Sequence, residues 1–162
     1  MHKAFHAASW LSGTGLCFKF APCMIRSLLA INALLFLLLA ILHFYWALGG
    51  TWATRAVIPA NSNGRMLFKP AGWMTLLVAA GLLLFAVTDL AYADSILQHS
   101  QYLSYAVPMI GVLFLVRAIG DFRYVGFFKL HGKSVFAKMD FLLYSPLCLL
   151  IAAIHFLAYF MV

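Results

Sequence analysis

The stretch Ser27 to Leu48, SLLAINALLFLLLAILHFYWAL, runs without a single Asp, Glu, Lys or Arg. A helix needs about 20 such residues to cross the roughly 30 Å hydrocarbon core of a bilayer. Because unpaired backbone groups are too costly in lipid, a stretch of this kind has to be helical there. The sequence therefore predicts a membrane-spanning helix.

Three further apolar runs of similar length follow this first one. They extend from about Gly72 to Ala93, from about Tyr102 to Gly120 and from about Leu142 to the C-terminus. None of the runs alternates with a period of two, so a transmembrane β-barrel is excluded. The predicted fold class is an all-α membrane protein with four antiparallel transmembrane helices in a bundle.

The overall composition agrees with a chain whose solvent is lipid. Hydrophobic residues make up 65% of the chain, charged residues make up 9%, and the mean hydropathy is +0.99. Soluble domains carry about 25% charged residues. The formal net charge of +7 would suggest nucleic acid in a soluble chain, but beside membrane spans it favours anionic lipid. We therefore expect membrane lipids as partners and no nucleic acid.

The cysteine pattern and the absence of familiar enzyme motifs limit the kinds of site that the sequence can contain. The three cysteines are an odd number without a C-x-x-C pair, which argues against a disulfide scaffold and against structural zinc. No familiar hydrolase or nucleotide-binding motif occurs either. We expect no metal site and no cofactor, and the sequence leaves open whether the protein is an enzyme and what its oligomeric state is.

The basic residues that flank the spans predict the orientation. Most of them lie in the first and third loops, whereas the second loop, around Asp94 to Gln101, has none. Because Lys and Arg are concentrated on the cytoplasmic side of membranes, we expect these two loops in the cytoplasm and both termini outside. The basic residues concerned are Arg55, Arg65, Lys69, Arg123, Lys129, Lys133 and Lys138.

The first 23 residues differ from the rest, since they show no span and no apolar period. Met24, by contrast, directly precedes the first span with Ile25 and Arg26. We expect residues 1–23 to be a dispensable or mis-called extension and residues 24–162 to form a single four-helix transmembrane domain. The sequence does not decide whether Met1 or Met24 is the true start, and a cleavable signal peptide is disfavoured because the apolar run is too long.

Polar residues inside spans are functional-site candidates because they are costly in lipid. Helical spacing and depth sort them into two layers. The outer layer contains Asn32, Asp89 and His155. The cytoplasmic layer, which we name the polar cup, is predicted to bind a ligand through His43, Trp46, Arg117, Asp121, Tyr144 and Ser145.

The leading hypothesis for the polar cup is an anionic lipid head group or a small anion. Arg117 would donate a planar pair of hydrogen bonds, Trp46 and Tyr144 would form interfacial walls, and His43 would be a pH-sensitive second donor. The structural alternative is a clamp between Arg117 and Asp121, which are four residues apart on one helix. Asp140 is expected at the interfacial end of the third loop.

Two functional alternatives stay open. A membrane enzyme acting on a lipidic substrate would use His43 as general acid or base and Arg117 to stabilise negative charge. A small proton-coupled transporter would use Asp89 and His155, although the centres of the spans offer no obvious polar path. A single interhelical hydrogen bond explains Asp89 and His155 equally well.

Four strings also occur together in order: HFYWALGG from His43, RAIGDFRYVGFFK from Arg117, FAKMD from Phe136 and YSPLCL from Tyr144. With them the chain resembles a family of small bacterial membrane proteins catalogued as domain of unknown function 3995. The resemblance extends from about Ile25 to the end. It implies a four-helix protein of the bacterial cytoplasmic (inner) membrane and supplies no activity, substrate or cofactor.

Overall fold

The computed structural model describes residues 14–58, 70–94, 101–120, 125–127 and 135–161. Within these ranges the ordered elements are all helical. They are α1 (Thr14–Ala47), α2 (Thr54–Val57), α3 (Gly72–Ala93), α4 (Gln101–Ile119), α5 (Val135–Met139), a π-helical turn (Asp140–Tyr144) and α6 (Ser145–Met161).

Four helical segments are long and apolar enough to cross a membrane: Cys23–Ala47, Gly72–Ala93, Gln101–Ile119 and Val135–Met161. Only about a third of each span is buried inside the protein, and large apolar side chains such as Leu38, Leu84 and Leu150 point outward. An outer surface of this kind is stable in lipid and not in water. The predicted all-α fold with four spans is confirmed.

The first span is continuous with a helix that begins earlier than expected. Helix α1 starts at Thr14, so its first ten residues belong to the segment before Met24. That this segment is dispensable stays a prediction.

Helix α1 packs mainly against α3, and α4 packs mainly against α6. The carbonyl of Ala47 lies beside Gly72 at one end of the first pair, while Asn32 contacts Asp89 further along. These contacts are those expected of neighbours that run in opposite directions, consistent with the antiparallel bundle. Small residues on the inner faces, such as Ala79 and Ala86, allow the close approach that holds helices together in lipid.

The middle of the bundle is filled by three aromatic rings from three different helices. The ring centroids of Phe36 and Phe114 are 5.3 Å apart, and that of Phe85 lies 5.7 Å from Phe36 and 6.1 Å from Phe114. We name these three residues the phenylalanine cluster. Since Phe36 is fully buried and the rings are in mutual contact, the centre of the bundle is apolar.

The fourth span begins seven residues earlier than the sequence predicted, because α5 leads directly through the π-helical turn into α6. The turn is closed by a hydrogen bond from the Ser145 N–H to the Asp140 carbonyl, a separation of five residues. Pro146 explains the irregularity: it has no N–H to donate to the carbonyl four residues back, and its ring disfavours a regular α-helix there. Asp140 therefore lies within the span and not at the end of the loop.

Helix α4 ends at Ile119, and the φ of 84° at Gly120 places this next residue in the left-handed region, as is common just after a helix. The chain later folds back, so that the Phe127 N–H donates to the Ala118 carbonyl at 3.1 Å. At Gly126, with φ of 90°, a Cβ atom would collide with the backbone of Ile119 and Gly120. Glycine at this position therefore allows residues 125–127 to cover the end of α4.

Candidate functional site

A buried ion pair lies at the bundle end where α4 stops and α6 starts. Arg117 Nη2 donates to Asp140 Oδ1 at 3.0 Å, and the side chain of Asp140 is fully buried while that of Arg117 is 35% exposed. The Gly126 N–H donates to the other oxygen, Asp140 Oδ2, at 2.7 Å. The carboxylate therefore ties α4, the returning loop and the fourth span together.

The position of Asp140 differs from the expected one. The sequence placed Asp140 at the interfacial end of the third loop and offered Asp121 as a structural partner of Arg117, whereas the structure places Asp140 inside the bundle as a partner of Arg117. Asp121 itself lies outside the described residues, so its part in the polar cup stays a prediction. The π-helical turn is the physical reason for the difference, because it carries Asp140 into the bundle at the level of Arg117.

Two polar atoms at this end are buried without a partner. Within the described part of the chain, neither Arg117 Nη1 nor Ser145 Oγ has a hydrogen bond. Ser145 is fully buried and directly follows the π-helical turn that contains Asp140. We name Arg117, Gly126, Asp140 and Ser145 the Arg117 cluster. Its two unpaired atoms give it hydrogen-bonding capacity that the described protein groups do not use.

His43 and Trp46 form a second group at the end of α1. Their rings meet edge to face with centroids 5.0 Å apart, and the Trp46 indole N–H donates to the Trp52 carbonyl at 2.8 Å. His43 Nδ1 lies 2.7 Å from the Leu39 carbonyl. Because a carbonyl only accepts, Nδ1 carries the proton and a neutral His43 keeps the Nε2 lone pair available.

The structure thus brings part of the polar cup together and leaves part of it apart. Arg117 and Ser145 lie in one cluster, and His43 contacts Trp46. Tyr144 is partly buried, and its ring centroid lies 6.4 Å from that of Phe136. The two groups share one end of the bundle, since Ala40, Ala118 and Cys148 pack in the same core. Among the described residues, no hydrogen bond, ion pair or ring contact joins His43 to Arg117.

The outer polar layer forms one hydrogen-bonded unit across three helices, which we name the Asp89 triad. Asn32 Nδ2 donates to Asp89 Oδ2 at 2.8 Å, and His155 Nε2 lies 3.0 Å from Asp89 Oδ1. His155 Nδ1 lies 2.8 Å from the Ile151 carbonyl. Asn32 is 2% exposed, and the other two residues are fully buried. Asp89 therefore links α1 to α6 through α3.

The phenylalanine cluster separates the Asp89 triad from the Arg117 cluster. Phe36 is one turn from Asn32, and Phe85 is one turn from Asp89, both towards the Arg117 end. The Phe36 ring lies 6.1 Å from the His155 ring. A polar path across the middle of the bundle is therefore interrupted by three packed rings.

Asp140 and Gly126 are the site residues that sequence reasoning missed. One available signal was Ser145-Pro146, because a proline early in a helix indicates an irregular turn before it. Such a turn brings the residue five positions earlier, which is Asp140, beside Ser145. Gly126 had no comparable signal. Among the described residues, no group of three His, Cys, Asp or Glu side chains is placed to hold a metal ion.

Four apolar spans that enclose buried polar groups define a multi-pass integral membrane protein. The chain belongs to the family described as "Protein of unknown function (DUF3995)", whose model matches residues 36–155. That match confirms the resemblance inferred from the four strings. No curated protein and no solved structure showed a significant match, so the activity has to be argued from the site.

Proposed function

We propose that this integral membrane protein is a binding or accessory protein that holds an anionic oxygen, such as that of a lipid phosphate, at the Arg117 end of the bundle. The observation that carries the proposal is the pair of unpartnered buried atoms, Arg117 Nη1 and Ser145 Oγ. A buried donor without an acceptor costs about 1–3 kcal/mol. One anionic oxygen that accepts from either group would recover part of that cost.

The charge around the site favours an anion. Asp140 occupies one amino group of Arg117 and leaves the other for a ligand. The sequence from 121 to 140 adds the basic residues Arg123, Lys129, Lys133 and Lys138 against two aspartates, and Lys138 is exposed in the structure. Basic residues beside a membrane attract anionic lipid.

The end of α1 supplies the remaining parts of the proposed site. Trp46 and Trp52 are tied together by a hydrogen bond, and Trp52 is 69% exposed, as is usual for tryptophan at the membrane interface. His43 would accept a hydrogen bond through Nε2 when neutral and donate one to an anion when protonated. Tyr144 and Asp121 complete the proposed polar cup.

The proposed location is the bacterial cytoplasmic (inner) membrane with both termini outside and the polar cup facing the cytoplasm. The argument is the excess of Lys and Arg in the first and third loops. Reporter fusions after Val162 and between Arg55 and Lys69 test it. A reporter that is active in the cytoplasm when fused after Val162 would reverse the orientation.

An enzyme acting on a lipidic substrate is the second candidate. One observation favours it: His43 is oriented by the Leu39 carbonyl with Nε2 available as a base. Asp140 is hydrogen-bonded to Arg117 and Gly126, whereas His43 is oriented by the Leu39 carbonyl. A proton-coupled transporter is less favoured, because the phenylalanine cluster interrupts the polar path.

The test is native mass spectrometry of the full protein purified in mild detergent, comparing the parent with Arg117→Lys. Lysine keeps a positive charge for Asp140 but has one nitrogen where arginine has two amino groups, so the ion pair survives while the unpaired donor is lost. We expect anionic lipid to be retained by the parent and lost from this variant. Ser145→Ala should weaken retention without changing any charge.

Arg26→Gln is the matched control, because it removes an exposed positive charge that lies on the other side of the phenylalanine cluster from the Arg117 cluster. It should retain lipid nearly as well as the parent. If Arg117→Lys retains as much lipid as the parent, Arg117 is only a structural clamp. Conversion of the bound lipid to a product by the parent, abolished in His43→Gln, would favour the enzyme instead.

A further inference from the structure

The guanidinium of Arg117 is shared between a protein carboxylate and the proposed ligand. Arg117 Nη2 donates to Asp140 Oδ1 at 3.0 Å, while Arg117 Nη1 is buried without a partner among the described residues. A ligand oxygen on Nη1 would therefore bind to the same guanidinium as the carboxylate. Because the two nitrogens belong to one planar group, that oxygen would lie within about 4–6 Å of Asp140.

A carboxylate and an anionic ligand at this separation repel each other. The side chain of Asp140 is fully buried, so water screens its charge only weakly. The repulsion also grows with the charge of the ligand, and it is twice as large for a group with two negative charges as for a group with one. Asp140 therefore disfavours every anion at Arg117 Nη1, and it disfavours dianions most.

The Asp140 carboxylate is held in place beside Arg117. The Gly126 N–H donates to Oδ2 at 2.7 Å, and hydrogen bonds of this kind stabilise the charged form of a carboxyl group. The π-helical turn fixes the backbone at the same residue, since the Asp140 carbonyl accepts from the Ser145 N–H. A ligand cannot push the carboxylate aside without breaking these bonds, so its charge is a constant feature of the site.

The donors that remain for a ligand match a group with two free oxygens. Within the described part of the chain, Arg117 Nη1 and Ser145 Oγ are the buried side-chain atoms without a partner, and each can donate. A phosphodiester has two unesterified oxygens that share one negative charge, so each donor can pair with one oxygen. A phosphomonoester has three such oxygens and a charge of about −1.5 to −2 at neutral pH.

We propose that Asp140 determines the specificity of the Arg117 cluster by restricting it to ligands with a single negative charge, and that the ligand is the phosphodiester group of a phospholipid. This inference rests on the proposed function, because it requires an anion at Arg117. It adds that the Asp140 carboxylate opposes binding. Removal of its charge should therefore strengthen binding and extend it to dianions.

The experiment compares two lipids that differ in the charge of the phosphate. Phosphatidylglycerol, a phosphodiester, and phosphatidic acid, a phosphomonoester, are each titrated into the full protein in neutral detergent, and bound lipid is measured by native mass spectrometry. The parent should bind phosphatidylglycerol more tightly than phosphatidic acid. A soluble phosphodiester, dimethyl phosphate, is the competitor that distinguishes a lipid from a free ligand. Displacement of phosphatidylglycerol by an equal concentration of dimethyl phosphate would overturn the lipid as the source.

Asp140→Asn is the decisive variant, because it keeps an acceptor oxygen for Arg117 and removes the negative charge. We expect it to bind phosphatidylglycerol about tenfold more tightly than the parent, the low end of what one neighbouring charge does to an ionisable group. The affinity for phosphatidic acid should rise further, by up to about a hundredfold, because its charge is larger. Arg26→Gln should keep the affinities of the parent, since Arg26 is exposed beyond the phenylalanine cluster.

The outcomes separate this inference from the proposed function. If Arg117→Lys binds both lipids as well as the parent does, the anion site itself is wrong. If Arg117→Lys loses lipid but Asp140→Asn binds neither lipid more tightly than the parent, the anion site stands and the role of Asp140 is wrong. The comparison of the two lipids on the parent needs no variant, so it tests the inference even if Asp140→Asn does not fold. Tighter binding of phosphatidic acid than of phosphatidylglycerol by the parent would overturn it.

Discussion

Arg117 and Asp140 differ in their access to water, and this difference predicts an asymmetric response to mutation. Asp140 is fully buried, whereas the Arg117 side chain is 35% exposed. Arg117→Gln therefore removes a cationic partner from a carboxylate that water does not reach. Asp140→Asn removes the anionic partner from a guanidinium that can turn towards the surface.

The expected costs follow from these environments. Removing one partner of a buried ion pair costs about 3–5 kcal/mol, and we expect about 3 kcal/mol for Arg117→Gln because Gly126 still donates to Asp140. Asp140→Asn should cost about 1.5–2 kcal/mol, the low end of the value of a hydrogen bond to a charged group, because the guanidinium can turn towards the surface. The double variant contains no buried charge at this point, so its cost should be smaller than the sum of the two by about 2 kcal/mol.

The assay is reversible unfolding in mixed micelles with increasing denaturing detergent, followed by helical circular dichroism for the parent and the three variants. Lys138→Gln is the control, since Lys138 is exposed, and it should be within about 0.5 kcal/mol of the parent. If Asp140→Asn is as costly as Arg117→Gln, or if the two costs simply add, the burial argument is wrong.

Substitutions at three further positions, with one exposed control, test the packing and the end of α1 in the same unfolding assay. Gly126→Ala should cost at least about 1–3 kcal/mol, because its φ of 90° is unfavourable for a residue with a Cβ and because that Cβ would also collide with the backbone of Ile119 and Gly120; a cost near zero would contradict the tight turn. Phe36→Ala should cost about 2 kcal/mol from the cavity alone, because hydrophobic transfer contributes little between lipid and the bundle core; an exposed control, Leu38→Ala, should cost much less. His43→Leu should cost about 1 kcal/mol, while His43→Gln should be as stable as the parent and lose bound lipid; a Gln variant that keeps its lipid would make His43 structural.

The sequence was sufficient to predict the number and approximate bounds of the spans, because a span in lipid has to be a helix of about 20 mostly apolar residues. On the inner face of α3, Thr75, Ala79 and Asp89 are buried and follow the spacing of three to four residues that puts side chains on one face of a helix. The sequence also grouped Asn32, Asp89 and His155 at one depth, and all three are hydrogen-bonded together.

Only the tertiary structure decided which polar groups are partners. Helical spacing offered Asp121 as a partner of Arg117, but only the structure shows that Arg117 pairs with Asp140, which is 23 residues away. The pairing of Arg117 with Asp140 depends on a π-helical turn before Pro146 and on a loop that returns at Gly126. Neither feature produces a regular spacing of apolar and polar residues in the sequence. Helical spacing fixes the depth and face of a side chain in the membrane, but the partner at that depth is set by how separate segments meet.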